Sequence, residues 1–447
     1  MSAIITSKFR YANAQNFKNS FGIASEPYYM FIGRSRLWAD EGNPPVPVDS
    51  ISSETYHHRD ILSAKGVSSS DVEYVIPRRN WTSGTMYDHY SHDVSAAAPS
   101  DSGKTSLWES YFFIKTSLNR VYVCIWNNGG GLSTVEPSHT STANYQTSDG
   151  YIWRFCYEIT SVQVQKHLSL DFMPVSDATP AGVVSGAIDF VKLISSGTGY
   201  NNGTHTLPIV GDGTGGTVSM VVSSGTVDTV TISNAGSGYT FASIDPSGQQ
   251  GAGGTDHNLK VIIPPIGGHG VNNKINLGAF FIMVNTTLSG EEGAGDFQST
   301  KMRQVGLIKT PHTASVPSTG STLSCVNSIT LLMNSGTFIE AETITSSTSG
   351  ASASVVSFVP ALGSSPAILK YVQQSEIGSG LASDGTMPAF QTSETITGTT
   401  SGASGTSQTL NGAELDPYSG DILYIENRMP IPRATDQSEN IKLIVEF

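Results

Sequence analysis

At 447 residues the chain is too long for one small core, and its formal net charge of −13 argues against a nucleic-acid grip, which needs clustered Lys and Arg to displace counterions. Charged residues make up only 14%, against roughly 25% in an average soluble domain, so Ser, Thr, Asn and Gly must keep the surface wet. With 46 Gly and 21 Pro, long helices have few places to sit, and extended structure with many turns is expected.

In chain order, the first stretch carries most of the aromatic residues, and its best helix candidate is the short segment Asn13–Asn19. Tyr111-Phe112-Phe113-Ile114 and Arg120-Val121-Tyr122-Val123-Cys124-Ile125-Trp126 read as strands, the second ending in the turn signal Asn127-Asn128-Gly129-Gly130. The stretch Gly150 to Ile159 alternates well enough for a half-buried strand. The chain then repeats itself. Ile188-Asp189-Phe190-Val191 leads to Gly197-Thr198-Gly199-Tyr200, and Val227-Asp228-Thr229-Val230 leads to Gly236-Ser237-Gly238-Tyr239. Two copies are too few for a solenoid, so paired hairpins or a small sandwich is expected. Gly278 to Val284 and Met302 to Lys309 read as further strands. A second repeat follows: Phe338, Glu342-Thr343-Ile344-Thr345 and Ser349-Gly350-Ala351-Ser352 return as Phe390, Glu394-Thr395-Ile396-Thr397 and Ser401-Gly402-Ala403-Ser404. The C-terminal strand alternates Ile441, Leu443, Val445 and Phe447 with more polar neighbours. The expected organisation is mainly β and multi-domain, a β-sandwich scaffold built from both chain ends. It comprises scaffold residues 1–184, an inserted module at 185–262, scaffold strands at 263–311, a second inserted module at 312–411 and C-terminal scaffold strands at 412–447.

Motifs for chemistry are weak. Ser102-Gly103-Lys104-Thr105 contains part of a phosphate loop, but the required glycine is replaced by Ala98, which leaves a polar turn. Asp88-His89 and His92-Asp93 have a spacing open to a metal, yet they read as a solvated loop. Asp212 lies in a single glycine-rich turn, and Glu291-Glu292 have no apolar surroundings to raise a pKa. The three cysteines, Cys124, Cys156 and Cys325, are far apart and read as buried small hydrophobes in a reducing compartment. No apolar run approaches the about 18 residues of a membrane span, and the N-terminus lacks the basic-then-apolar order of a signal peptide. The expectation is a non-enzyme with no cofactor and no metal, made in a cytoplasm, with neither nucleic acid nor membrane insertion among its contacts.

Arg and Trp concentrate at the two ends. Arg78, Arg79 and Trp81 follow Pro77, and Asn427-Arg428 precede Pro430. Each group reads either as a hydrogen-bonding element of the fold or as an interface anchor, since Arg and Trp dominate binding hot spots.

The end segments resemble the baseplate wedge subunit conventionally numbered eight of T-even-type contractile-tailed phages. The matching phrases are Ile5-Thr6-Ser7-Lys8-Phe9-Arg10 with Asn16-Phe17, Phe31-Ile32-Gly33-Arg34-Ser35 with Trp38, and Val75-Ile76-Pro77-Arg78-Arg79 with Trp81. Asp149-Gly150-Tyr151 with Trp153, Arg303-Gln304, Tyr424 with Glu426-Asn427-Arg428 and Pro430, and then Asp436-Gln437 complete the set, in the same order. The two repeat regions lie outside it. The resemblance implies a structural virion component in the tail baseplate, a homodimer of sandwich domains bridging other wedge proteins around the tail hub. It also makes Arg34, Trp38, Arg78, Arg79, Trp81, Arg303, Asn427, Arg428, Asp436 and Gln437 candidates for interface or scaffold-network residues. The alternative is a receptor-binding tail protein in which Tyr200, Tyr239, Phe338 and Phe390 stack on cell-surface glycans.

Overall fold

A computed structural model describes residues 4–177, 183–251, 254–255, 258–290, 296–297, 301–373, 387–432 and 438–447. The protein is mainly β, as expected, and folds as two compact units, each drawn from separate parts of the chain. One holds residues 1–16, 73–283 and 444–447; the other holds 17–72 and 284–443, so residues 1–184 are shared between them. Among the described residues no helix is long and apolar enough to cross a membrane.

In the first unit a four-stranded antiparallel sheet runs in the order Phe113–Lys115, Arg120–Trp126, Ile152–Glu158, Tyr145–Gln146. Arg120–Trp126 is buried at its five central positions, as a run of β-branched and aromatic residues covered on both faces must be. Asn119 closes the preceding turn at φ 58°, a left-handed conformation that Asn tolerates. Tyr87, Ile114, Tyr122, Cys124, Tyr151 and Trp153 fill the core below.

The first repeat region belongs to the same unit. Its four-stranded sheet, ordered Thr226–Asn234, Thr217–Ser223, Gly203–Gly211, Ala242–Ile244, shares one core with the pair Phe190–Ser195 and Asn258–Ile262. This is the arrangement of a small sandwich. Both repeat tyrosines point into that core, 4% and 2% exposed for Tyr200 and Tyr239. The Tyr239 hydroxyl accepts from Gly216 N (3.0 Å) and donates to Ile209 O (3.1 Å), which ties the turn to the strand it covers.

In the second unit a five-stranded antiparallel sheet runs Thr322–Ser324, Ile61–Val67, Tyr28–Gly33, Lys301–Lys309, Asp421–Pro432. Strands from the head, the middle strip and the tail of the chain therefore hydrogen-bond side by side. Tyr28–Gly33, at the centre, is buried at every position. Phe31 faces Gly306 in register, and a Cβ on Gly306 would lie 2.2 Å from the Phe31 ring, so the phenyl group occupies the space that glycine leaves.

Residues 327–411 of this unit close into a six-stranded barrel: Asn327–Ser335, Ala367–Val372, Ser352–Val359, Thr343–Ser346, Thr395–Gly398, Ser404–Asn411. Closure leaves no free sheet edge. Phe338 and Phe390, the repeated phenylalanines, are both core residues of the barrel.

Helices differ most from expectation. The first spans Ser7–Ser20 rather than Asn13–Asn19, because the Thr6 hydroxyl and carbonyl both accept from Phe9 N and start it earlier. A second, Ile51–Asp60, has no apolar stripe and is set by Ser50, whose side chain accepts from Ser53 N.

Candidate interface and scaffold network

Arg34 ends the central strand Tyr28–Gly33 in a left-handed conformation, φ 62°. Its amide donates to Asp60 O at 2.7 Å, and its guanidinium reaches the Asp60 carboxylate at 2.9 Å and lies 3.7 Å above the Trp38 ring. Arg36 approaches the other Asp60 oxygen at 3.6 Å. Burial lowers the pKa of Arg34; the Asp60 charge opposes that shift, while Arg36 and Arg303 add to it. Arg303 is 2% exposed and donates from Nε to both Glu41 oxygens (3.1 and 3.0 Å) and from Nη1 to Ser35 O (2.9 Å). Glu41 also accepts from Trp38 N at 2.6 Å, and Trp38 Nε1 donates to Arg428 O at 2.9 Å. Gln304 Nε2 donates to Asn427 Oδ1 (2.7 Å), and Asn427 Nδ2 donates to Pro45 O (2.8 Å).

Arg34, Trp38, Arg303, Asn427 and the Arg428 backbone thus form one network that ties residues 34–45 to the adjacent strands Lys301–Lys309 and Asp421–Pro432. The Arg428 side chain points outward, 42% exposed, toward Glu426 at 3.3 Å. Asp436 and Gln437 lie outside the described residues, as do Glu291 and Glu292. Asp60 and Glu41, the anionic centres of the network, went unnoticed in the sequence; a cue existed only in Glu41, three residues after Trp38.

Arg78, Arg79 and Trp81 are placed in the other unit. Arg78 donates to Asn80 Oδ1 (3.0 Å) and Ser169 O (2.6 Å). Arg79 donates to Trp108 O (2.8 Å) and Ser110 O and lies 4.3 Å over the Phe113 ring. Burial, opposed by Tyr111 and Asp88, brings its pKa down to about 10. Trp81 Nε1 donates to Ser133 Oγ at 3.0 Å. These donors are directed at carbonyls and hydroxyls of their own fold.

The other polar candidates are likewise engaged. Asp88 accepts from Ser102 N, Ser102 Oγ and Tyr111 N at 2.6 to 2.7 Å, which absorbs the turn that resembled a phosphate loop. His89 Nδ1 lies 2.6 Å from Asp101, whose pKa is lowered: burial alone would raise it, but His89, Lys192 and Asn127 outweigh that effect. His92 Nδ1 accepts from Ile263 N at 3.2 Å, and Asp93 pairs with Lys260 at 2.6 Å. Among the described residues no group of three or more His, Cys, Asp or Glu side chains is arranged to hold a metal.

Within the barrel the two repeats cap each other. Glu342 accepts from Ile339 N (2.7 Å) in its own copy and from Thr400 N, Ser401 N and Ser401 Oγ (3.2, 2.9 and 2.8 Å) in the other. Glu394 accepts from Gln391 N (2.8 Å) in its own copy and from Ser349 N and Ser349 Oγ (3.2 and 3.1 Å) in the first. One position breaks the symmetry. Ser346 Oγ also donates to Glu394 (2.7 Å), whereas its counterpart Gly398 has no side chain, and a Cβ there would meet Glu342 at 2.6 Å. With all four repeat aromatics in module cores, Tyr200, Tyr239, Phe338 and Phe390 cannot form a sugar-stacking surface.

Residues 3–112 match the family model described as Bacteriophage T4, Gp8. The chain is also 27% identical over 185 residues to the baseplate wedge protein gp8 of Enterobacteria phage T4, an alignment covering 35% of this chain and 55% of that relative. The chain thus spans about half the length of the curated relative it matches. The likeness read from Ile5–Arg10, Phe31–Ser35 and Val75–Trp81 is therefore a likeness to a baseplate wedge subunit of T-even phages, carried both by a family model and by a named relative.

Proposed function

We propose that this chain is a structural component of a phage tail baseplate wedge, assembled in the host cytoplasm and carried in the virion. It holds neighbouring wedge proteins in fixed geometry while contacts between them form and break. The match of residues 3–112 to the wedge family carries this reading. The mechanical part is supported by the arginine networks, whose donors fix loops to strands and so stiffen the scaffold. The protein acts without catalysis, and it forms a homodimer. A stable dimer contact buries about 800 Å² per partner, and repetition around the baseplate multiplies modest contacts by avidity. A change of baseplate shape requires contacts whose energies differ between its two states. Isolated baseplates from the phage encoding this chain, imaged and analysed by mass spectrometry, should contain it at the wedge; baseplates complete without it would overturn the proposal. Light scattering of the purified protein should give about twice 47.3 kDa, and a monomer at micromolar concentration would remove the dimer.

A further inference from the structure

Asp421–Pro432 is the last strand of the five-stranded sheet and, among the described residues, pairs on one side only, with Lys301–Lys309. Its far half is closed off, since Arg428 O accepts from Trp38 and Asn427 donates to Pro45 O. In the near half, Ile422–Ile425 instead line a groove of about 370 Å³. The opposite wall is Pro47–Ser50 with Glu54 and His57 of the helix Ile51–Asp60. A bulge at Leu423 turns that side chain outward, 49% exposed. Across the groove Val48 is 63% exposed, with Val46 at 85% and Ile51 at 90% beside it. The groove thus mixes aliphatic and polar side chains beside a sheet edge, a geometry that accepts an added strand.

Charge decides what fits. Asp49 and Glu54 line the slot beside His57, Asp421 and Glu426 flank its strand wall in sequence, and Arg428 pairs with Glu426. A second copy of the same edge is disfavoured, because Asp421–Glu426 laid antiparallel on itself sets Asp421 opposite Glu426 at both ends. We propose that this groove takes an extended segment of another baseplate protein, apolar on alternate residues and carrying Lys or Arg between them, which joins the sheet as a sixth strand. The proposal rests on reading the chain as an assembly component.

The test uses the full-length protein and a fluorescent synthetic peptide of about ten residues alternating Val or Ile with Lys or Thr. Anisotropy should show saturable one-to-one binding. Methylating the alternate backbone nitrogens that face the edge should abolish it, while methylation in the other register should leave it intact. Asp49→Lys with Glu426→Lys should weaken the basic peptide about tenfold and favour an acidic counterpart. Absence of saturation, or binding indifferent to the methylation register, overturns the proposal, and the methylation arm needs no protein variant to fold. In baseplates, normal incorporation and function of the doubly reversed chain would overturn the groove assignment while leaving the wedge reading standing. Baseplates lacking the wild-type chain would instead remove that reading.

Discussion

Arg303 is the most enclosed charge of the network, held between Glu41 and the Ser35 carbonyl. Arg303→Met should destabilise its unit by about 1–3 kcal/mol, since it leaves the buried Ser35 carbonyl without its donor and removes the cation from a partly exposed Glu41. Arg303→Lys should recover only part of that loss, because one ammonium cannot span both acceptors as the guanidinium fork does. Urea denaturation followed by tryptophan fluorescence checks the order wild type, Lys, Met. His269 gives a prediction in pH. It packs edge-on to Tyr90 at 4.5 Å, and burial, reinforced by the Arg154 charge, holds its pKa well below the usual value. Burial lowers His58, His92 and His139 as well. Such groups stay neutral in the fold but take up protons in the unfolded chain, so their cost is absent above pH about 6.5 and grows as pH falls below it. The Tm should drop between pH 7.5 and 5, and His269→Gln should flatten part of that slope; an unchanged slope would show that another group sets it. Asp101, with its lowered pKa, loses its contribution only further down, as pH falls below about 4.

Elements were legible where local pattern and tertiary role agreed. Arg120–Trp126 combined an apolar β-branched run with a glycine turn, and it stands at the expected residues. The Glu-Thr-Ile-Thr repeats gave two strands for the same reason. The helix Ile51–Asp60 was hidden because it has no apolar face to give a period, only a serine cap. The cross-capping of the barrel was hidden too, since each glutamate serves a turn in the other copy, far away in sequence. The site was half legible. Arg34, Trp38, Arg303 and Asn427 could be picked out by type, but not their partners Asp60, Glu41 and Pro45, which only the sheet brings near. Glu342→Gln and Glu394→Gln should each cost the barrel about 1–3 kcal/mol by weakening three or more accepted hydrogen bonds. Hydrogen exchange should then show the loss in the partner copy's turn, at Thr400–Ser401 for Glu342 and at Ser349 for Glu394. Protection lost only in the mutated copy would contradict the cross-capping.

At the scale of the molecule, each repeat module begins and ends at neighbouring points. Ser185 Oγ accepts from Gly267 N at 3.3 Å, and Asn327 Oδ1 accepts from Ala413 N at 3.1 Å. Chain segments with adjoining ends can be removed without stretching what remains. Replacing residues 328–411 by a short glycine linker should leave the five-stranded sheet folded, with a cooperative thermal transition and native-like near-ultraviolet dichroism. Loss of that transition would show that the barrel is integral to its unit. A cut of the first module at 245 would leave Asn258–Ile262 without its partner Phe190–Ser195, so the deletion must run to 262 or beyond.

The adjoining ends at Asn327 and Ala413 also form a ready splice point. A foreign domain whose own termini lie close together, such as an antibody fragment or a fluorescent reporter, should graft there in place of the barrel. If the chain is the wedge component proposed above, a phage carrying that graft would display its cargo at the baseplate, which offers a marker for following it through infection.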